Sequence, residues 1–321
     1  LNQVETLLNN AKDQPQRALW LFENNLRTPL FMLEALAKMY RKIHDKNIFK
    51  KLQDQFKKLE DILGDIDHYN ATGKSYAVLP GARQEILIYY QNKKIKYLQK
   101  LEKTLIEEGW SGNAERVPKI KAKLQKASWL TEDLDVAAIK DFYKNAIEDI
   151  KGFWLTTKPF KDLENEVHEM RRKIRWLSIY PQALRGSIQL APNEPAPDYF
   201  KKYLVDEIVN SPYNKMPNAQ GCNTLLMLDK NSFLAMSWLI SNLGTLKDEG
   251  LNLLTMQEAE ENTGIMPAQE NNNKEGTLQN LLLQATKICQ TFFDEKVLET
   301  LVLKVVTNEK IMTTSLVSLD T

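Results

Sequence analysis

Apolar residues recur every three to four positions along most of the chain, the spacing that gathers them on one side of an α-helix. Asn2 to Asn10 is a short run of this kind, broken at Gln14-Pro15. The same period runs from Arg17 to Asp45, disturbed at Pro29, which has no backbone donor. It returns from Asn47 to Asn70, where Leu52, Phe56, Leu59, Leu63 and Ile66 share a face. Ala71 to Gly81, with Gly73, Pro80 and Gly81, reads as a loop. Further helices are predicted over Arg83 to Glu108, Ala114 to Ala127 and Asp133 to Trp154, and Pro159 precedes another over Leu163 to Tyr180.

Beyond Pro181 the pattern changes. Arg185 to Pro217 carries Pro192, Pro195, Pro197, Pro212 and Pro217. It is predicted as an insertion with one short helix near Tyr199 to Val209, at the edge of its bundle and more mobile than the helices on either side. Thr224 to Asp248 and Thr277 to Phe293 resume helical spacing, and the polar stretch Asn262 to Gly276 between them reads as a mobile loop. Leu298 to Val306 and Ile311 to Leu319 flank Thr307-Asn308-Glu309-Lys310, and their β-branched content leaves helix and a short C-terminal hairpin both open. The fold class predicted is all-α, with about 8 to 10 helices in two helical bundles. The first bundle is placed over residues 1–150. The second spans 151–270 with the proline-rich insertion at 185–217, followed by a C-terminal helix and tail over 271–321.

Composition narrows the function. Apolar residues make up 43% and charged residues 26% of 321 positions, ordinary for a globular protein. The net charge of +1 carries no bulk signature of nucleic-acid binding, but the charge is uneven. Residues 83–126 are net +6 and residues 249–321 net −6. Two cysteines, Cys222 and Cys289, are too few for a disulfide framework and are expected as buried thiols. No run approaches the ~18 apolar residues of a membrane span, so no membrane partner is expected. Without a signal-peptide pattern a cytoplasmic location is expected, although the start at Leu1 rather than Met leaves open that a segment was removed.

The stretch Leu163 to Tyr180 holds the candidate chemistry. At 100° per residue His168, Arg171, Arg172 and Arg175 share one side, and Lys161 extends that side by two turns. Val167, Met170, Ile174 and Leu177, with Leu163, fall opposite, and Glu164 is placed to pair with His168. A solvated basic face is the commoner meaning of such a pattern; an anion site is the other, because arginine offers planar, bidentate recognition of phosphate oxygens. His168 with Glu164 supplies two ligands where a metal needs three or four, so no metal is assigned. Thr72-Gly73-Lys74-Ser75 resembles the end of a phosphate-binding loop, yet His68 stands where that motif has its first glycine. No Ser-His-Asp or paired-carboxylate arrangement stands out, and no catalytic residue or cofactor is assigned.

A weak internal similarity runs through the chain. Asn24-Asn25-Leu26-Arg27 matches His168-Glu169-Met170-Arg171 in position, and Leu63-Gly64-Asp65-Ile66-Asp67 resembles Leu243-Gly244-Thr245-Leu246-Lys247-Asp248. His168-x-x-Arg171-x-x-x-Arg175, followed by Leu-Gly-x-x-Lys-Asp at Leu243 to Asp248, resembles the CHAD family, the conserved histidine α-helical domain. The resemblance implies an all-α internal duplication of two bundles about a pseudo-two-fold axis, with basic residues lining a central groove. It implies non-catalytic binding of inorganic polyphosphate, or of phosphate and sulfate, and no specific nucleic-acid partner. The anion ligands it implies are His168, Arg171, Arg172, Arg175 and Lys161, joined in the first copy by Arg27. Lys38 and Arg41 share the helix face of Arg27, interrupted by Glu34. Departures from the family pattern are Asn24 in place of histidine, Phe31 and Met32 at later motif positions of the first copy, and Trp176 and Ser178 at further basic positions of the second. The alternative is a CHAD-like scaffold that has lost the ligand and serves protein–protein contact.

Overall fold

A helix needs an apolar face and a stop at each end, and most of this chain supplies both. In the computed structural model 74% of the chain is helical, and among the described residues the strands form one three-stranded sheet. The structure describes residues 1–191, 195–219, 221–265 and 274–307, without the side chains at 274 and 303.

The first helices are α1 (Asn2–Asn10), α2 (Arg17–Glu23) and α3 (Arg27–Ile43). The single helix expected over Arg17 to Asp45 is thus two. The break comes at Asn25, which takes a left-handed φ of 58°, a conformation asparagine tolerates better than most residues. Pro29 lies in the first turn of α3, where no backbone donor is needed. α4 (Lys46–Ala77) is capped by Asp45, whose carboxylate accepts from the backbone N–H groups of Asn47 and Ile48 at 2.9 Å. The predicted loop from Ala71 lies mostly inside α4. Burial of Thr72 and Tyr76 outweighs the ~1 kcal/mol cost of Gly73, and Thr72-Gly73-Lys74-Ser75 is helical rather than a phosphate loop. α5 (Gln84–Glu107), α6 (Arg116–Gln125) and α7 (Glu132–Thr157) follow closely where the periodicity put them.

A π-helical turn over Leu163–His168 leads into α8 (Glu169–Ala183), which continues through Pro181. Then come β1 (Ile188–Leu190), the short α9 (Asp206–Val209), β2 (Thr224–Leu228), α10 (Lys230–Thr263), α11 (Lys274–Asp294) and β3 (Val302–Thr307). The sheet corrects the purely helical expectation for Thr224 to Asp248. Its first five residues are a fully buried strand, and Asp229 starts α10 by accepting the Ser232 backbone N–H at 2.7 Å. β1 runs parallel and β3 antiparallel to β2, with Leu226 opposite both Ile188 and Val305. The C-terminal strand therefore pairs with β2; Ile311 to Leu319 lies outside the described residues.

The chain forms two compact units, Leu1–Trp129 with Asn252–Asn271, and Leu130–Leu251 with Asn272–Thr321. The changeover at 271/272 lies next to the boundary placed at 270, the one placed at 150 has no counterpart, and neither unit is one continuous stretch. In the first unit α3, α4 and α5 close a core around Leu30, Phe56, Leu59, Leu63 and Trp110. A second cluster joins Tyr69, Tyr76, Ile86 and Tyr90 to Ala259 of α10. Beside it the Glu258 carboxylate accepts from the Tyr89 hydroxyl at 2.6 Å, the Lys93 ammonium at 2.7 Å and the Tyr69 hydroxyl at 3.2 Å.

In the second unit α7 packs on β2 and β3, and the Glu132 carboxylate accepts from the backbone N–H groups of Asn223 at 2.5 Å and Thr224 at 2.6 Å. The proline-rich insertion is well anchored where it is described. Phe200, Tyr203 and Ile208 are buried, and the Tyr203 ring meets those of Trp238 and Phe292 at 5.0 and 5.9 Å. Aromatic residues that proline content hides thus hold a segment expected to be loose. Cys289 is a buried thiol as expected, whereas Cys222 is only half-buried, 3.8 Å from the Ser187 hydroxyl.

Candidate functional site

The second-unit site is built on the turn before α8. Asp162 caps it, accepting from the backbone N–H groups of Glu164 at 2.8 Å and Asn165 at 2.7 Å. Leu163, Val167, Met170, Ile174 and Leu177 are all buried, the stripe the sequence assigns to the core. Lys161 precedes the cap, exposed, with its backbone N–H held by Glu166 at 2.5 Å. It is therefore not two turns along the cationic side as predicted, because the helix does not extend that far.

The remaining predicted ligands take different roles. His168 is half-buried, its Nδ1 3.4 Å from Glu164 Oε1. That contact, with the field of Lys247, holds the Glu164 carboxyl below the usual carboxylate range. Arg172 is exposed and paired with Glu169 at 2.6 Å, and Arg175 is exposed. Arg171 turns the other way, toward α10. Its Nε donates to the Ile240 carbonyl at 3.1 Å, and its guanidinium lies on Gly244, where a Cβ would stand 3.0 Å from Nε. Burial pushes the Arg171 pKa down and Asp248 offsets part of that, while Asp248 itself pairs with Lys247. Among the described residues Arg171 makes no ion pair.

The first unit repeats the packing with different electrostatics. Arg27 lies on Gly64, where a Cβ would stand 2.9 Å from its Nη2. Its Nε donates to Glu60 at 2.8 Å and its Nη1 to Asp67 at 2.9 Å, so two carboxylates of α4 neutralise it. Glu34, one face-mate of Arg27, is buried, and burial with the nearby Glu60 raises its pKa to about 7. Lys38 and Lys57 pull that value back down. Arg41 sits in the last turn of α3, where cations meet the negative end of the helix dipole. Arg27 therefore faces the acids Glu60 and Asp67 of α4, and Lys38 lies in the field of Glu34 on its own helix. Asn24 lies outside α3, its side-chain amide donating to the Trp20 carbonyl at 2.8 Å, so it is not on the helix that carries Arg27.

The sequence reading missed Ile240 as the acceptor for Arg171, and missed Glu60 and Asp67 as partners of Arg27. A signal for the last two existed: they flank Gly64 at helical spacing, on the face that takes the arginine. Among the described residues no group of His, Cys, Asp or Glu side chains could hold a metal ion, and no helix is long and apolar enough to cross a membrane. Comparison with protein-family models, curated proteins and solved structures finds no match.

Proposed function

We propose that the chain is a non-catalytic anion-binding module whose ligand is inorganic polyphosphate or a similar phosphate-rich chain, gripped at Arg171. One observation carries this reading: Arg171 is a half-buried arginine with no ion-pair partner among the described residues, positioned by a backbone carbonyl and a glycine. Taking a cation out of water is costly unless a counter-charge arrives, and a phosphate oxygen would supply one in bidentate geometry. His168 precedes Arg171 in the π-helical turn, and Arg172 and Arg175 follow on α8 as further positive groups. The matched placement of Arg27 on Gly64 and Arg171 on Gly244 supports two copies of one helical unit, of which the second keeps the ligand.

The second reading, a scaffold that has lost its ligand, is favoured by Arg27, whose charge is already spent on Glu60 and Asp67. The test is polyphosphate binding by wild type, Arg171→Ala and Arg27→Ala across a salt series. Wild-type affinity should fall steeply with salt. Arg171→Ala should weaken binding by about 10- to 100-fold, the value of one charge-assisted contact, and Arg27→Ala should leave it unchanged. No binding by wild type at the lowest salt selects the scaffold.

A further inference from the structure

His44 is half-buried at the corner between α3 and α4. Its Nδ1 lies 2.7 Å from the Asp45 backbone N–H, and its Nε2 lies 2.6 Å from the Ser128 carbonyl. A backbone N–H can only donate and a carbonyl can only accept. The ring must therefore carry its proton on Nε2 and a bare lone pair on Nδ1. The other two histidines meet more tolerant partners. The Thr255 hydroxyl beside His68 can donate or accept, and the Glu164 carboxylate beside His168 welcomes a charged ring.

Ser128 and Trp129 end the long N-terminal stretch of the first unit. Trp129 is 49% exposed, yet its ring is held on one side. The centre of that ring lies 5.2 Å from His44, 5.7 Å from Tyr40 and 5.8 Å from Phe49, and its Nε1 donates to the Leu124 carbonyl at 3.0 Å. His44 also meets Phe49 edge-on at 5.6 Å. The imidazole thus pins the segment after α6 to the corner where α3 gives way to α4.

We propose that His44 is an acid-released latch on Ser128 and Trp129. The negative end of the α3 dipole and the neighbouring Trp129 ring both favour a cation at this position. The charged residues on the surrounding elements are Arg41 and Lys42 in the last turn of α3, Asp45 and Lys46 where α4 begins, and Lys126 after α6; Tyr40 is the other titratable side chain. Among the described residues none of these forms an ion pair with His44, and the Asp45 carboxylate already accepts the Asn47 and Ile48 backbone N–H groups. A proton on Nδ1 would set two donors against each other at the Asp45 N–H, so the ring must turn. Both nitrogens belong to one rigid ring, so turning also takes Nε2 away from Ser128. The Trp129 ring then loses the group it rests on.

Nuclear magnetic resonance on the full chain, with isotope-labelled histidine and aromatic side chains, tests this; His44 is identified by its contacts with Trp129. At about pH 8 the wild-type His44 ring should be the Nε2–H tautomer. As the pH falls to about 5 it should become charged, and the Overhauser contacts between the Trp129 and Tyr40 rings should vanish along the same titration curve. In His44→Gln, with wild-type helicity by circular dichroism, those contacts should not vary with pH. The tautomer and the ring contacts are read on the wild type, so they decide even if the variant folds poorly. The opposite tautomer at pH 8, ring contacts that survive the charging of His44, or an acid-driven loss that persists in His44→Gln would each overturn the inference.

Discussion

Arg27 and Arg171 differ in what neutralises them, not in how they pack. Removing Arg27 strands Glu60, which is 8% exposed, beside the buried Glu34. Arg27→Ala should therefore cost about 1–3 kcal/mol in urea unfolding, discounted for the partial exposure of the arginine. Glu34 makes a pH-dependent prediction. Its folded pKa, about 7, lies above its ordinary value of 4.5, so the folded chain binds the extra proton between those limits. Stability from this group is full below pH 4.5 and is lost as pH rises toward 7. Glu34→Gln should thus be more stable than wild type at pH 8, by about 1–3 kcal/mol, with a much smaller gain at pH 5. A gain that does not grow with pH would mean that Glu34 is ionised throughout. The arginines were legible in the sequence because their helical phase is local information. Their partners were not, since which carboxylate reaches Arg27 depends on how α3 meets α4.

At the level of elements, the apolar period located α4 to α8 and α11 to within a few residues at most ends. It failed where composition misleads. Five consecutive apolar or β-branched residues at β2 read equally as strand or buried helix, and only Asp229 marks the junction. Gly73 looked like a stop and is carried by its neighbours' burial. Another glycine sets how closely two elements approach. A Cβ on Gly250 of α10 would stand 2.4 Å from Leu163 Cδ2, with the turn before α8 fixed by Asp162. Gly250→Ala should force that turn away and cost about 1–3 kcal/mol in denaturant unfolding. If the midpoint does not move, Leu163 has room to rotate.

For the whole molecule, the helical class could be read from the chain, but most of its partition could not. The contact boundaries at 129/130 and 251/252 carry no proline-rich linker to mark them, whereas the one at 271/272 lies next to the boundary expected at 270. Long-range pairings such as Tyr69, Tyr89 and Lys93 with Glu258 have no local signature. That clip also fixes an order of events during translation. A ribosome adding about 5–20 residues per second needs roughly 6–25 s to go from Trp129 to Asn252. Through that interval the nascent first unit holds Tyr69, Tyr76, Ile86 and Tyr90 without the segment carrying Ala259 and Glu258 that completes their cluster. A fragment of residues 1–129 should accordingly bind a hydrophobic dye more strongly than the full chain, and a peptide spanning residues 252–265 added in trans should reduce the signal. The nascent chain thus emerges with an unfilled apolar face for most of the time its second unit is being made.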